Sequence, residues 1–191
     1  WSMMKGEWAS WKNAFTPEEC ADIIKRGEKL TYQEAELGPE SREDKIVDKS
    51  YRRSKVRWMN RDIFYDVFDK MWKLTVTANE QFFGFHIDRL RYMQLTEYDE
   101  VYKGEYKRHH DVFWLDNPEK QRKLSVVLQL TDKDTYSGGD LGLEVQGESL
   151  TDHKDIGTLI WFPSWTPHWV TPVTKGRRNS IVCWFEGPHW K

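Results

Sequence analysis

The spacing of apolar residues changes period near residue 85, and this restricts the possible folds of the 191-residue chain more than any other feature. Before that point, Ile63, Phe64, Val67, Phe68, Met71, Trp72, Leu74 and Val76 recur at helical spacing. They predict a long helix, capped by Asn60 and running to about Phe83, with its apolar stripe buried as core. An earlier helix begins at Thr16-Pro17-Glu18-Glu19, where Thr16 caps, Pro17 takes the first helical position and Glu19 completes a capping box. Ala21, Ile23, Ile24 and Leu30 carry it to about Lys29. After residue 85 the pattern alternates. Strands are expected at Arg89–Tyr98, Tyr106–Asp111, Lys123–Thr131, Leu141–Val145, Gly157–Phe162, His168–Thr171 and Arg178–Phe185. Turn residues separate them at Tyr102-Lys103-Gly104, Ser137-Gly138-Gly139-Asp140, Pro163-Ser164 and Lys175-Gly176. Helices followed by many short strands predict an α+β fold, mainly β, with N-terminal helices supporting a sandwich or open barrel. The length fits a single domain over residues 1–191, with support and flap in 1–84 and the strand-rich core in 85–191.

Short strands at Gln33–Leu37 and Val56–Met59 flank the polar segment Gly38–Arg57, in which every charge from Lys49 to Arg57 is basic. This segment reads either as a solvated surface loop or as a flap over a site. Its basic run could favour an acidic peptide, and unpatterned surface charge explains it equally well. A formal net charge of -2 argues against a protein built to coat nucleic acid or acidic membranes. No apolar run approaches the ~20 residues of a membrane-spanning helix. Two cysteines, Cys20 and Cys183, cannot form a disulfide framework or a zinc site alone, which fits a reducing, cytoplasmic setting.

The chemistry concentrates in the second half. On the strand Tyr106–Asp111, His109 and Asp111 share one face and His110 points away. A further histidine, His168, follows in Thr166-Pro167-His168-Trp169-Val170. Two histidines and one carboxylate fill one face of an octahedral ion and leave three positions open, as in non-haem Fe(II) oxygenases. Zinc would accept the same ligands but is redox-inert. If His168 opens one strand and Arg178 the next, a hairpin returns Arg178 beside the metal site. Arg178 and Ser180 then share a face, with Val182 and Trp184 following on it. A guanidinium beside a hydroxyl suits a carboxylate, so the pair implies a keto acid that chelates the ion and rests its far carboxylate on Arg178. Arg177 is the rival under a one-residue slip, and Ser180 favours Arg178. A second His-x-Asp, His86-Ile87-Asp88, lacks a Gly-x-Tyr lead-in and is the weaker candidate. His110, His153 and His189 are expected to be structural or exposed.

At these residues the chain resembles the Fe(II)/2-oxoglutarate-dependent dioxygenases, in their prolyl 4-hydroxylase-like branch. The resemblance is carried by Gly104-x-Tyr106-x-x-His109-x-Asp111, by Gly138-Gly139-Asp140-Leu141, and by His168-x-Val170-x-Pro172-Val173-x-x-Gly176-x-Arg178-x-Ser180 ending at Trp184. It implies a double-stranded β-helix (jelly-roll) core with helices packed on one side. It implies His109, Asp111 and His168 as the catalytic iron ligands and Arg178 as partner of the 2-oxoglutarate C5 carboxylate. Tyr98 and Tyr106 match pocket tyrosines, Trp184 a pocket wall, and Gln129 a place where some relatives carry a tyrosine, so that its amide would donate to the C5 carboxylate. Core packing is the alternative for these four. Fe(II), 2-oxoglutarate and O₂ are the implied reactants, with ascorbate as accessory. The implied reaction is C4 hydroxylation of a proline in a peptide or protein, with succinate and CO₂ released. The segment 38–57 and the loop Val112–Arg122, with turn residues Asp116-Asn117-Pro118-Glu119, could close over such a peptide. The alternatives are a hydroxylase of free proline or another small molecule, a nucleic-acid dealkylase, which the net charge disfavours, and an inactive jelly-roll binding module, which the intact residue set disfavours.

Overall fold

The computed structural model describes residues 6–35, 47–114, 119–145, 148–150 and 153–190. The expected capping box opens helix α1 (Pro17–Gly27): Glu19 N donates to Thr16 Oγ1, and Thr16 N donates to the Glu19 carboxylate at 2.7 Å. The second helix, α2 (Tyr65–Ala78), continues into a π-helical turn at Asn79–Phe83, which Gly84 closes in the left-handed region. It starts later than the apolar stripe predicts. Asn60 caps a tight turn instead, accepting from Asp62 N on its side chain and from Phe64 N on its carbonyl. An Asn side chain satisfies its own neighbours in a turn as readily as it caps a helix. Arg26 then ties α1 to α2 through paired 2.9 Å bonds to the Asp66 carboxylate.

The strands in chain order are β1 (Ala9–Trp11), β2 (Gln33–Glu34), β3 (Arg52–Arg53), β4 (Lys55–Trp58), β5 (Arg89–Asp99), β6 (Glu105–His109) and β7 (Gln121–Gln129). They continue as β8 (Ser137–Gly138), β9 (Leu141–Val145), β10 (Glu148–Leu150), β11 (Leu159–Pro163), β12 (His168–Val170), β13 (Val173–Lys175) and β14 (Arg177–Gly187). They form a seven-stranded antiparallel sheet in the order β1-β11-β7-β14-β5-β4-β2 and a five-stranded one in the order β10-β9-β12-β6-β3, with β13 paired to β8 at a corner. The two larger sheets enclose a jelly-roll core. Alternation along β7 assigns its residues to two layers. Leu124, Val126 and Leu128 pack with Phe64, Phe68 and Met71 beneath the helices. Val127 packs with Tyr98, Leu141, Ile160, Phe162 and Val170 between the sheets. Trp161 belongs to the helix layer, and its indole N–H finds Thr75 Oγ1 of α2 at 2.9 Å.

One expected connection is corrected. β12 and β14 do not form a hairpin: β12 lies between β9 and β6 in the five-stranded sheet, and β14 lies between β5 and β7 in the other. The chain crosses between sheets at Gly176, whose φ of 72° suits glycine and where a Cβ would lie 2.4 Å from Thr135 O. His168 and Arg178 therefore face each other from opposite sheets across the space between them.

Residues 36–46 of the expected flap lie outside the described residues, as do 115–118 of the rim loop, including most of the expected turn at 116–119. The rest of the flap is anchored. β3 pairs with β6 in one sheet and β4 with β5 in the other, so the segment bridges the two sheets along one edge. Both cysteines are free and buried. Burial pushes the Cys20 thiol up to about 11 and raises that of Cys183 as well, so both are inert. No helix among the described residues is long and apolar enough to cross a membrane.

Candidate active site

β6 carries His109, but it ends there. Asp111 follows in a bend, where its N–H donates to Ser164 O at 2.8 Å, so the expected strand is shorter than the sequence pattern implied. His168 opens β12 directly opposite His109 in the register. His109 Nε2 lies 3.7 Å from Asp111 Oδ1, and His168 Nε2 lies 3.4 Å from Asp111 Oδ2. Among the described residues these three side chains form the one His/Cys/Asp/Glu group able to hold a metal, with ligand atoms within 4.8 Å of one another. Backbone carbonyls orient both rings: Lys107 O is 2.7 Å from His109 Nδ1 and Thr166 O is 2.9 Å from His168 Nδ1. A carbonyl only accepts, so each Nδ1 carries the proton and each Nε2 lone pair is free for a cation.

Two serines hold Asp111. Ser125 Oγ is 2.6 Å from Asp111 Oδ2 and 3.1 Å from Ser164 Oγ. The hydroxyl has one proton, which the carboxylate must receive, so Ser164 donates to Ser125. Burial is the main cause that pushes the His109 imidazole down to about 3. Burial alone would raise the Asp111 carboxyl, but His168, His109, Arg122 and the Ser125 hydroxyl outweigh it and hold it well below the usual carboxylate range. Neutral imidazole and ionised carboxylate are the cation-binding forms. Both groups bind fewer protons folded than unfolded. The stability they contribute is therefore intact above about pH 6.5, the unfolded histidine value, and falls as the pH drops below it. Urea midpoints of the metal-free chain should decline steadily from pH 7 to pH 4, and a flat profile would contradict this.

The opposite end of the cavity is built by β14 and β5. Arg177 points outward to Asp99, at 2.7 Å, while Arg178 is only 1% exposed. Arg178 Nη2 donates to Gln129 Oε1 at 3.0 Å, but its Nε and Nη1 find no partner among the described residues. Nor do the hydroxyls of Ser180 and Thr96, which oppose each other across β14 and β5. Gly139 makes room for the arginine stem, since a Cβ there would lie 3.1 Å from Arg178 Cδ. This is a physical reason for the Gly138-Gly139 pair. The Tyr98 ring lies under the guanidinium, 5.4 Å from its carbon. Gln129 faces Arg178 with its oxygen: its amide nitrogen donates to His153 O at 2.7 Å, and its Oε1 accepts from Arg178 Nη2.

A cavity of about 1010 Å³, open mouth included, joins this end to the His–Asp–His group. Tyr106 lines it, stacked on His109 with centroids 3.5 Å apart, and so does Trp184, under the Arg122 guanidinium at 3.7 Å. His110, expected to be structural or exposed, is exposed and also lines the cavity. The rival motif is not part of the site, and Asp88 pairs with Lys120 at 2.5 Å. Ser125, Ser164, Arg52, Arg122 and Gln94 are site residues that the sequence reading missed. For Ser125 a signal existed, since it alternates with Val127 and Gln129 on β7.

Residues 93–186 match the 2OG-Fe(II) oxygenase superfamily. The chain belongs to this family. A PKHD-type hydroxylase of Teredinibacter turnerae is 35% identical over 86 residues, covering 44% of this chain and 38% of the relative. The Escherichia coli PKHD-type hydroxylase YbiX is 29% identical over 111 residues, covering 56% and 39%. The chain thus spans under two fifths of the length of these relatives. Among solved structures, a Pseudomonas putida prolyl-4-hydroxylase superposes with a TM-score of 0.71 at 20% identity, covering 96% of this chain and 94% of the other. A Trichoplax adhaerens prolyl hydroxylase, solved with a hypoxia inducible factor peptide fragment, reaches 0.76 at 15% identity, covering 94% and 83%. At such identities these two likenesses show the fold. Family membership implies Fe(II), 2-oxoglutarate and O₂, and the His–Asp–His group of this chain fits an iron ion.

Proposed function

We propose that this chain is a 2-oxoglutarate-dependent hydroxylase of a prolyl residue, acting at C4 within a peptide or protein. The observation that carries the co-substrate half of this reading is Arg178: a buried guanidinium with two unpartnered N–H groups, beside an unpartnered Ser180 hydroxyl, in the cavity that also holds the metal-type group. Those donors fit the C5 carboxylate of 2-oxoglutarate. His109, Asp111 and His168 would hold Fe(II), and Tyr98, Tyr106 and Trp184 would wall the co-substrate. When bound, Fe(II) and 2-oxoglutarate supply the oxidising chemistry, in which O₂ is consumed, 2-oxoglutarate leaves as succinate and CO₂, and one C–H becomes C–OH. The protein orients both imidazoles through backbone carbonyls, fixes the carboxylate through Ser125 and Ser164, and lines part of the cavity with Val127, Leu141, Val170 and Val182. The prolyl target is supported by the names of the structural neighbours. Free, buried thiols are consistent with a reducing cytoplasm.

The test is incubation with Fe(II), 2-oxoglutarate, ascorbate and proline-rich peptides, with free proline and methylated oligonucleotide as comparison arms. Fe(II)-dependent succinate together with one added oxygen on a prolyl residue is expected, and oxygen gained only by another arm would overturn the prolyl assignment. Ser125→Ala should lower Mn(II) affinity by about 10–100-fold with the fold retained, because a group that orients a metal ligand typically contributes that much. Unchanged Mn(II) titration curves would show that Ser125 does not act through Asp111.

A further inference from the structure

The basic run from Lys49 to Arg57 is not used by the reaction proposed above, and its charges are not equivalent in the structure. Lys49 pairs with Glu34 at 2.9 Å and Arg53 with Glu105 at 2.6 Å, while Lys55 and Arg57 share Glu97 at 4.0 and 3.6 Å. Each of these four has a carboxylate partner, although Glu97 also serves Arg177, and none of them lines the active-site cavity. Arg52 differs. It is 8% exposed, lines the active-site cavity, and has no carboxylate partner among the described residues. It sits opposite Tyr106 across the β3–β6 pair, its guanidinium 4.3 Å from the Tyr106 ring centroid, and its Nε donates to Ser54 Oγ at 2.9 Å. The ring and the hydroxyl fix the plane of the guanidinium, and its two Nη groups bond to none of the described residues.

A buried cation without a counter-charge is costly, and an aromatic face offsets only part of that cost. Asp111 is the one carboxylate among the described lining residues, and it is already held by Ser125 and flanked by two imidazoles. In the loaded site a metal dication, Asp111, Arg178 and the two carboxylates of 2-oxoglutarate balance one another. Two lining guanidinium groups stand outside that sum: Arg122, over the Trp184 ring, and Arg52, beside the stacked Tyr106–His109 pair.

We propose that Arg52 is a specificity residue that binds a carboxylate of the substrate, so that the site selects anionic substrates, foremost a peptide whose hydroxylated residue is flanked by Asp or Glu. The inference rests on the hydroxylase reading above. A planar fork with two free N–H edges matches a carboxylate in two parallel bonds. That carboxylate could also be the α-carboxylate of a free amino acid, and the probes separate the two sources.

The full chain is loaded with Mn(II) and 2-oxoglutarate without O₂. Affinities are then measured for Ala-Glu-Pro-Glu-Ala with blocked ends, for the same peptide with Gln or Lys in place of Glu, and for proline against prolinamide. The Glu peptide should bind at least about tenfold more tightly than the Gln peptide, in line with a desolvated charge pair. A tenfold preference confined to proline over prolinamide would instead assign the carboxylate to a small substrate. Arg52→Met should abolish the preference, Arg52→Glu should shift it to the Lys peptide, and Arg52→Lys should keep part of it, with circular dichroism confirming that each variant is folded. Equal binding of the charged and neutral members, absence of binding by every probe, or a preference that survives Arg52→Met would each overturn the inference. So would an Arg52→Met variant that loses affinity for 2-oxoglutarate alone. Fe(II)-dependent succinate formation by the unaltered chain tests the hydroxylase reading separately, so succinate without carboxylate preference rejects only the role of Arg52.

Discussion

Replacing Arg178 with methionine should weaken 2-oxoglutarate binding by roughly 30-fold or more, since truncating one side of a buried, hydrogen-bonded charge pair typically costs about 2–5 kcal/mol. The same change should cost the unliganded chain little. In that state the guanidinium is buried with only Gln129 Oε1 as hydrogen-bond partner, and no carboxylate among the described residues compensates it. Removing an uncompensated buried charge and filling its space with an apolar chain is commonly neutral or stabilising. The opposed signs are the useful part of the prediction. A residue that merely filled the core would lose stability and leave affinity alone. Arg178→Lys should fall between, because an ammonium keeps the charge but not the planar fork. Calorimetric titration with 2-oxoglutarate in the presence of Mn(II), beside urea unfolding without ligand, reads both quantities. Wild-type affinity in Arg178→Met would remove Arg178 from the co-substrate site.

Asp111→Ala should lower Mn(II) or Fe(II) affinity by more than about 100-fold, exceeding the loss expected from changing a residue that only orients a ligand. His109 and His168 would still present their Nε2 atoms, but two imidazoles alone supply neither the third ligand nor the negative charge. The loss should appear without unfolding. The carboxylate is flanked by two imidazoles and the Ser125 hydroxyl, and in the metal-free chain its removal leaves Ser125 without its acceptor while relieving a buried charge. Mn(II) titration followed by electron paramagnetic resonance measures the affinity, and 2-oxoglutarate turnover should vanish in parallel. If Asp111→Ala turned over 2-oxoglutarate at the wild-type rate, the ligand assignment would be wrong.

The two variants address the two ends of one cavity, and those ends were not equally readable. His109, Asp111 and His168 stood out because metal ligands must be His, Cys or carboxylate, and few such residues have suitable neighbours. The choice of Arg178 over Arg177 followed from alternation with Ser180, and burial of one with exposure of the other agrees with it. What Gln129 does was not readable. Its orientation is set by the carbonyl of His153, and only the folded chain shows that this contact takes the amide nitrogen and leaves the oxygen for Arg178.

Sequence alone determined the features that depend on near neighbours: the capping box at Thr16, the part of the helical stripe from Val67 to Val76, the alternation of β7 and β14, and the grouping of His109, Asp111 and His168. Each follows from interactions a few residues apart, or from a period that the chain repeats along one element. The tertiary structure decided which sheet each strand joins, the bend that carries Asp111 past the end of β6, the serine pair behind its carboxylate, and which basic residue of the flap enters the cavity. Those outcomes depend on partners distant in the chain. Lys49, Arg53, Lys55 and Arg57 are matched by Glu34, Glu105 and Glu97 only after the sheets have formed, and Arg52 is set apart because the residue facing it across the strand pair is an aromatic ring rather than a carboxylate.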